Sequence, residues 1–265
     1  MKIYLRYLKS ERVAVLLYAL FLLVCAYVLV VIFPSIAKIQ MVHDYIESLP
    51  AFMKAFLGQE IIDIATLEGF LTVEYFNTTW LLIMGVFCCL FAGALVAEET
   101  EKKTLEILLS APVTRTRFII SKFAGFLTLL VFLSAVSFLG IYLGELQIGE
   151  AIDKHLTVYV FLSGTLCMAT IGSIGLFLSC LFNEQRRATG AAIAVFFLLY
   201  IFNLVALLLE QYPILKYFSL FQYYDASKVF RRQAIYWPDM AVLIGVFSVM
   251  FSASIFAFRR KEIYL

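Results

Sequence analysis

The densest run of ionisable residues in the chain is Glu98, Glu99, Glu101, Lys102 and Lys103, followed by Glu106 and then by Arg115, Arg117 and Lys122. No histidine or cysteine stands among them, so the chemistry on offer is recognition rather than catalysis. Leu105, Leu108 and Leu109 fall on one side of a short helix with Glu106 beside them, and Pro112 ends it, because proline lacks the amide donor and clashes with the preceding turn. A helix of about two turns is not stable alone in water. The stripe therefore needs a surface to bury it. Two surfaces are open at this point: the membrane or the chain's own helix ends, and a groove on a soluble partner with apolar anchors and charged rims.

Other chemistry is thin. The two histidines, His43 and His155, lie in polar gaps away from any second ligand, so neither a zinc site of the H-E-x-x-H type nor a serine protease dyad can be assembled. No C-x-x-C or Cys/His metal spacing exists, and no metal site is expected. None of the thirteen glycines is followed by lysine, which excludes the phosphate-cradling loop G-x-x-x-x-G-K-[ST]. Any ATP hydrolysis must come from another polypeptide, and the chain is not expected to be an enzyme.

The elements that carry this connector are set by lipid. Hydrophobic residues make up 63% of the 265 residues, in long blocks rather than at amphipathic spacing. A crossing of about 30 Å at about 1.5 Å per residue needs about 20 largely uncharged residues. Six stretches qualify: 13–33, 78–97, 118–143, 157–182, 188–209 and 240–258. All are expected to be helical, since backbone amides find no water in lipid, and the alternation of a membrane barrel is absent. The expected fold is an all-α membrane protein forming a single transmembrane domain over 1–265. The five cysteines fall inside these spans, where a thiol behaves as a small apolar side chain.

Within the six spans Lys122 is the only Asp, Glu, Lys, Arg or His, close enough to a helix end to snorkel. Small residues at Ala169, Gly172, Ser173 and Gly175, and at Gly190, Ala191, Ala192 and Ala194, suit close helix packing within one subunit.

With both termini cytoplasmic, fourteen Lys and Arg fall on the inner side and seven on the outer. The positive-inside rule favours that orientation. Residues 1–12 put Lys2, Arg6 and Lys9 on one face against Tyr4, Leu5, Tyr7 and Leu8, the pattern of a helix lying on the inner surface. Residues 34–77 form the expected extracytoplasmic cap and 98–117 the cytoplasmic connector. Residues 210–239 hold four basic residues and many aromatics on the outer side, which fits a re-entrant segment with its rings at headgroup depth; an ordinary amphipathic loop is the alternative.

The run EETEKKTLEILLSAPVTRTRFIISK resembles the connector of ABC-2 type exporter permeases, where an acidic exit from the second helix leads to a coupling helix, a proline, an arginine and a lysine that starts the third helix. The positions that carry the resemblance are Glu98, Glu99, Glu101, Thr104, Leu105, Glu106, Leu108, Leu109, Pro112, Arg115 and Lys122. Lys103 departs from it, since many members have glycine there. Weaker likeness, over 49–58 and 221–235 and at Arg259-Arg260-Lys261, is to permeases of gliding-motility and nitrous-oxide-reductase maturation systems.

The resemblance implies an ATPase-coupling role for those connector residues, with 104–110 resting on a separate ABC ATPase subunit and 1–12 flanking the same contact. It implies a second permease chain, identical or not, a multi-pass place in a bacterial-type plasma membrane, no nucleic-acid partner, and no cofactor in this chain, with ATP and Mg held by the ATPase. Two other readings stay open: a non-transporting anchor or scaffold for a soluble partner, and a secondary transporter, which the lack of carboxylates in the spans disfavours.

Overall fold

The computed structural model describes residues 2–37, 66–104, 114–208 and 219–261. These residues are helical, with no strand among them. Helix α1 is Lys2–Ala37. The second membrane element is built in pieces: α2 (Leu67–Leu71), a π-helical segment (Thr72–Trp80), α3 (Leu81–Ala94) and, after a break, α4 (Ala97–Glu101). Then follow α5 (Arg115–Ile148), α6 (Lys154–Leu181) and α7 (Gln185–Leu208). A 3-10 turn (Leu220–Tyr223) and α8 (Ala226–Arg232) lead into α9 (Trp237–Arg260). Six of these helical stretches are long and apolar enough to cross a membrane, as expected from the hydrophobic blocks.

Local chemistry sets the ends. Thr66 accepts from the Gly69 amide, Thr114 from Arg117, and Asp153 from both His155 and Leu156, so the orphan amides at the starts of α2, α5 and α6 are satisfied. Helix α5 stops at Gly149, whose φ of 73° is left-handed.

Two boundaries differ from the sequence reading. Helix α1 runs unbroken through Arg12 into the first span, so residues 2–12 supply its first turns rather than a separate surface helix. No helix breaker stands there, and Tyr4 and Tyr7 lie against α5, near Gly125 and Thr128. The second membrane element begins at Leu67, not at 78, and takes in Glu68 and Glu74. The polar residues that read as loop hold a helix instead: the hydroxyls of Thr78 and Thr79 donate to the carbonyls of Val73 and Glu74, five residues back, at 2.9 and 2.7 Å. These bonds fit the wide π turn. The expected outer cap is correspondingly shorter, and residues 38–65 lie outside the described residues.

Helix α6 lies at the centre, packed by α3, α5, α7 and α9, while α1 lies along α5. Aromatic rings fill the interior, with Trp80, Tyr75, Phe76, Phe87, Phe118 and Phe126 fully buried. The outer faces are equally apolar: Leu16, Leu17, Leu20 and Phe21 of α1 are exposed. Since lipid is as apolar as leucine, helix association here rests on close packing and on hydrogen bonds between helices.

Small residues provide that packing. Gly172 meets the Phe126 ring and Gly175 meets Ala92 and Gly93, both within this chain. The tightest backbone approach is one the small-residue runs did not reveal: a methyl group added at Gly140 would stand 2.7 Å from the Leu23 carbonyl of α1, and one at Gly144 would stand 2.6 Å from Val30. At Gly190 an added methyl meets nothing within 4 Å. Gly140→Ala should therefore lower the unfolding free energy by about 1–3 kcal/mol, read as a lower midpoint in a dodecyl sulfate titration. Gly190→Ala should leave that midpoint unchanged or raise it.

Candidate functional site

The charged connector leaves α3 through a break. The amides of Val96 and Ala97 lose helical partners there and both donate to the buried hydroxyl oxygen of Ser179 on α6, at 2.9 and 3.0 Å. Helix α4 then presents its three glutamates to three different partners. Glu98 pairs with Lys102 at 2.5 Å, an exposed i,i+4 pair of the kind that contributes little. Its charge and hydrogen bond hold the Lys102 ammonium above the ordinary lysine range. Glu99 pairs with Lys122 of α5 at 2.7 Å and also accepts from the Thr104 hydroxyl. Glu101 accepts from the Gln185 amide at 2.8 Å and so caps α7.

The far side of the connector is tied as firmly. Arg115, at the first turn of α5, donates to the carbonyls of Phe258, Arg259 and Lys261 at 3.3, 3.2 and 2.7 Å, covering the carbonyls at the end of α9. Arg259 returns a bond to the Thr116 hydroxyl at 3.0 Å. Lys261 reaches the Phe182 carbonyl, at the end of α6, at 2.7 Å. Burial pushes the Lys261 ammonium below the ordinary lysine range. Between them the two ends of the connector are thus bonded to α5, α6, α7 and α9.

Lys122 does not snorkel. It is 6% exposed, donates to Glu99, and lies 5.7 Å from the Tyr7 ring and 5.6 Å from the Phe118 ring, which stabilise a cation further. A cavity of about 150 Å³ opens beside it, lined by Arg6, Tyr7, Glu11, Glu98, Glu99 and Lys122 among others. Among the described residues no three His, Cys, Asp or Glu side chains come together as metal ligands would.

Of the connector residues expected from sequence, Glu98, Glu99, Glu101, Thr104 and Arg115 are brought together at this end of the bundle. Leu105, Glu106, Leu108, Leu109 and Pro112 lie outside the described residues. Sequence reasoning missed Ser179 and Gln185 altogether. It saw Lys261 only as part of a basic tail. None of the three carried a local signal, since their partners lie 79 or more positions away.

A family model described as ABC-2 family transporter protein matches residues 8–263. The chain belongs to the ABC-2 transporter family. No individual curated protein matches it. It is accordingly a multi-pass membrane protein and a permease component of an ABC transporter, and membership implies an ABC ATPase as partner. The glutamate-rich exit and the arginine after the connector are thus placed within an ABC-2 permease.

The one departure from the family-like connector acquires a physical reading. Lys103 has φ 55°, in the left-handed region that suits glycine, directly after the end of α4. Lys103→Gly should raise stability by about 1 kcal/mol, measured in the same dodecyl sulfate titration, whereas Lys103→Val should lower it.

The buried pair of this ABC-2 permease is the second test. Lys122→Met alone leaves the half-buried Glu99 without its cation and should cost about 3 kcal/mol. Adding Glu99→Gln should restore more than half of that loss. Equal stability of the single and double variants would show that the pair does not hold α4 to α5.

Proposed function

We propose that this chain is the permease subunit of an ATP-driven exporter, in which hydrolysis by a separate nucleotide-binding subunit moves the connector and the connector repacks the spans. The observation that carries the reading is the set of tethers from the connector to four helix ends. A push on a loop held only by its own chain is absorbed by bending. A push on one whose flanks are bonded to α5, α6, α7 and α9 displaces those helices.

In this reading residues 104–110 form the coupling helix, with Leu105, Leu108 and Leu109 as apolar anchors and Glu106 on the rim. ATP and Mg are held by the ATPase. The connector can do work only if it binds the two nucleotide states of that subunit with different affinity. The working unit is two permease chains with two ATPase chains in a bacterial-type plasma membrane. Both termini face the cytoplasm, supported by the excess of Lys and Arg on that side.

The outer segment fits the same architecture. The Ser219 hydroxyl donates to the Leu199 carbonyl, roughly 14 Å short of the end of α7 at 1.5 Å per residue. Tyr224 is buried against Trp80 and donates to the Phe76 carbonyl. We read the 3-10 turn and α8 as a re-entrant hairpin whose irregular backbone is tolerated in the outer leaflet because protein surrounds it.

Two classes of variant separate docking from transmission. Extraction in mild detergent should bring down a P-loop ATPase in stoichiometric amount. Leu105→Asp should lose it without preventing membrane insertion. Lys261→Met should keep the ATPase bound yet reduce the dependence of its turnover on transported ligand. An ATPase-free preparation from wild type, in detergent that preserves known complexes, would sink the exporter reading and leave the scaffold.

A further inference from the structure

The second membrane element carries a stripe that the tethered end does not use. Glu74, Thr78, Leu82, Val86 and Leu90 recur every four residues, and each is half-exposed or exposed while most of their neighbours are buried. The other sides of this element are spoken for. Phe76 and Trp80 pack on Phe161 of α6 at 5.3 and 5.7 Å, and Phe70 lies against Phe33 of α1. Asn77 holds α8, accepting from the Ala226 amide and donating to the Ser227 hydroxyl.

At its outer end the stripe offers acceptors and no free donors. The hydroxyl protons of Thr78 and of its neighbour Thr79 are committed to the carbonyls of Val73 and Glu74, which leaves their oxygen lone pairs outward. The ionised Glu74 carboxylate accepts and cannot donate, and no ion pair engages it among the described residues. Glu68, by contrast, already accepts from the Asp153 amide. Inward from Thr78 the stripe is purely apolar for about 12 Å, from Leu82 to Leu90 at 1.5 Å per residue.

A carboxylate at this position is costly unless a cation answers it, and ionisable groups in spans mark ligand paths for that reason. The wide π turn beneath it is a common accompaniment of functional sites. An anionic headgroup would be repelled, and a neutral acceptor would find nothing to bond. What fits is a head rich in N–H donors on an apolar tail.

We propose that Glu74, Thr78, Leu82, Val86 and Leu90 form this chain's share of a binding track for a cationic amphiphile, with the Glu74 carboxylate as counter-ion to a protonated amine and the leucine and valine side chains along its tail. The proposal rests on the permease reading and names the class of cargo for it.

The test uses the purified full chain in zwitterionic nanodiscs at neutral pH, titrated with dodecylammonium and with dodecanol and dodecyl sulfate as neutral and anionic probes of the same tail length. Saturable binding is expected for dodecylammonium alone. Glu74→Gln should weaken it about tenfold or more, Glu74→Asp should retain most of it, and Glu68→Gln should leave it unchanged. Equal binding by wild type and Glu74→Gln, or equal binding of the three probes, would overturn the proposal. So would a pairing of two chains that Glu74→Gln breaks and dodecylammonium does not disturb, since the stripe would then belong to a second copy. No ATPase takes part in this measurement, so its failure leaves the permease assignment standing, and absence of an ATPase partner does not affect its readout.

Discussion

Two amides decide how the charged end of the molecule is built. Where the second membrane element breaks, the N–H groups of Val96 and Ala97 have no helical acceptor, and an unpaired amide in a water-poor interior costs several kcal/mol. The Ser179 hydroxyl oxygen takes both. This fixes the break against α6, and α4 leaves it in a direction that carries Glu99 to Lys122 and Glu101 to the start of α7. Without a polar atom at that point of α6, the connector would enter from a frayed helix and its charges would have no defined partners.

The same constraint is met elsewhere by charged side chains that close helix ends. The last carbonyls of α9 are covered by Arg115 and that of Phe182 after α6 by Lys261, while the first amide of α7 is covered by Glu101. Each bond satisfies an orphan backbone group and joins two helices at once. The interior between them is close-packed aromatic and aliphatic surface, with low compressibility, so a displacement at one end is passed along helices rather than absorbed. Mechanical continuity and hydrogen-bond satisfaction are therefore met by the same side chains. The Glu99–Lys122 pair differs from the exposed Glu98–Lys102 pair in this respect, because burial makes its integrity matter far more than its net energy.

The opposite end solves a different problem. Polar residues of the π segment face three ways: Asn77 secures α8, the threonine hydroxyls secure the wide turn, and Glu74 is left to face outward. One short stretch thus anchors α8 and leaves the Glu74 side chain half-exposed. The two ends are connected through a single element, since the helix that carries Glu74 is the one that breaks at Ser179 and becomes the connector.

Sequence alone determined the six crossings, because bilayer thickness translates directly into about 20 apolar residues. It also marked the connector, whose run of charged residues from Glu98 to Lys103 and proline at 112 are local signals. It misjudged the start of the second membrane element, since threonines, Asn77 and two glutamates read as loop until their hydroxyls are seen bonded within a π turn. It divided α1 at Arg12, where composition changes but the backbone does not. Only the tertiary structure decided which atom answers each charge. Lys122 with Glu99, Glu101 with Gln185 and Arg115 with Lys261 are separated by 23, 84 and 146 positions, and their pairing follows from which helices lie side by side. Hydropathy says how deep a residue lies in the membrane; packing alone says which residue stands beside it.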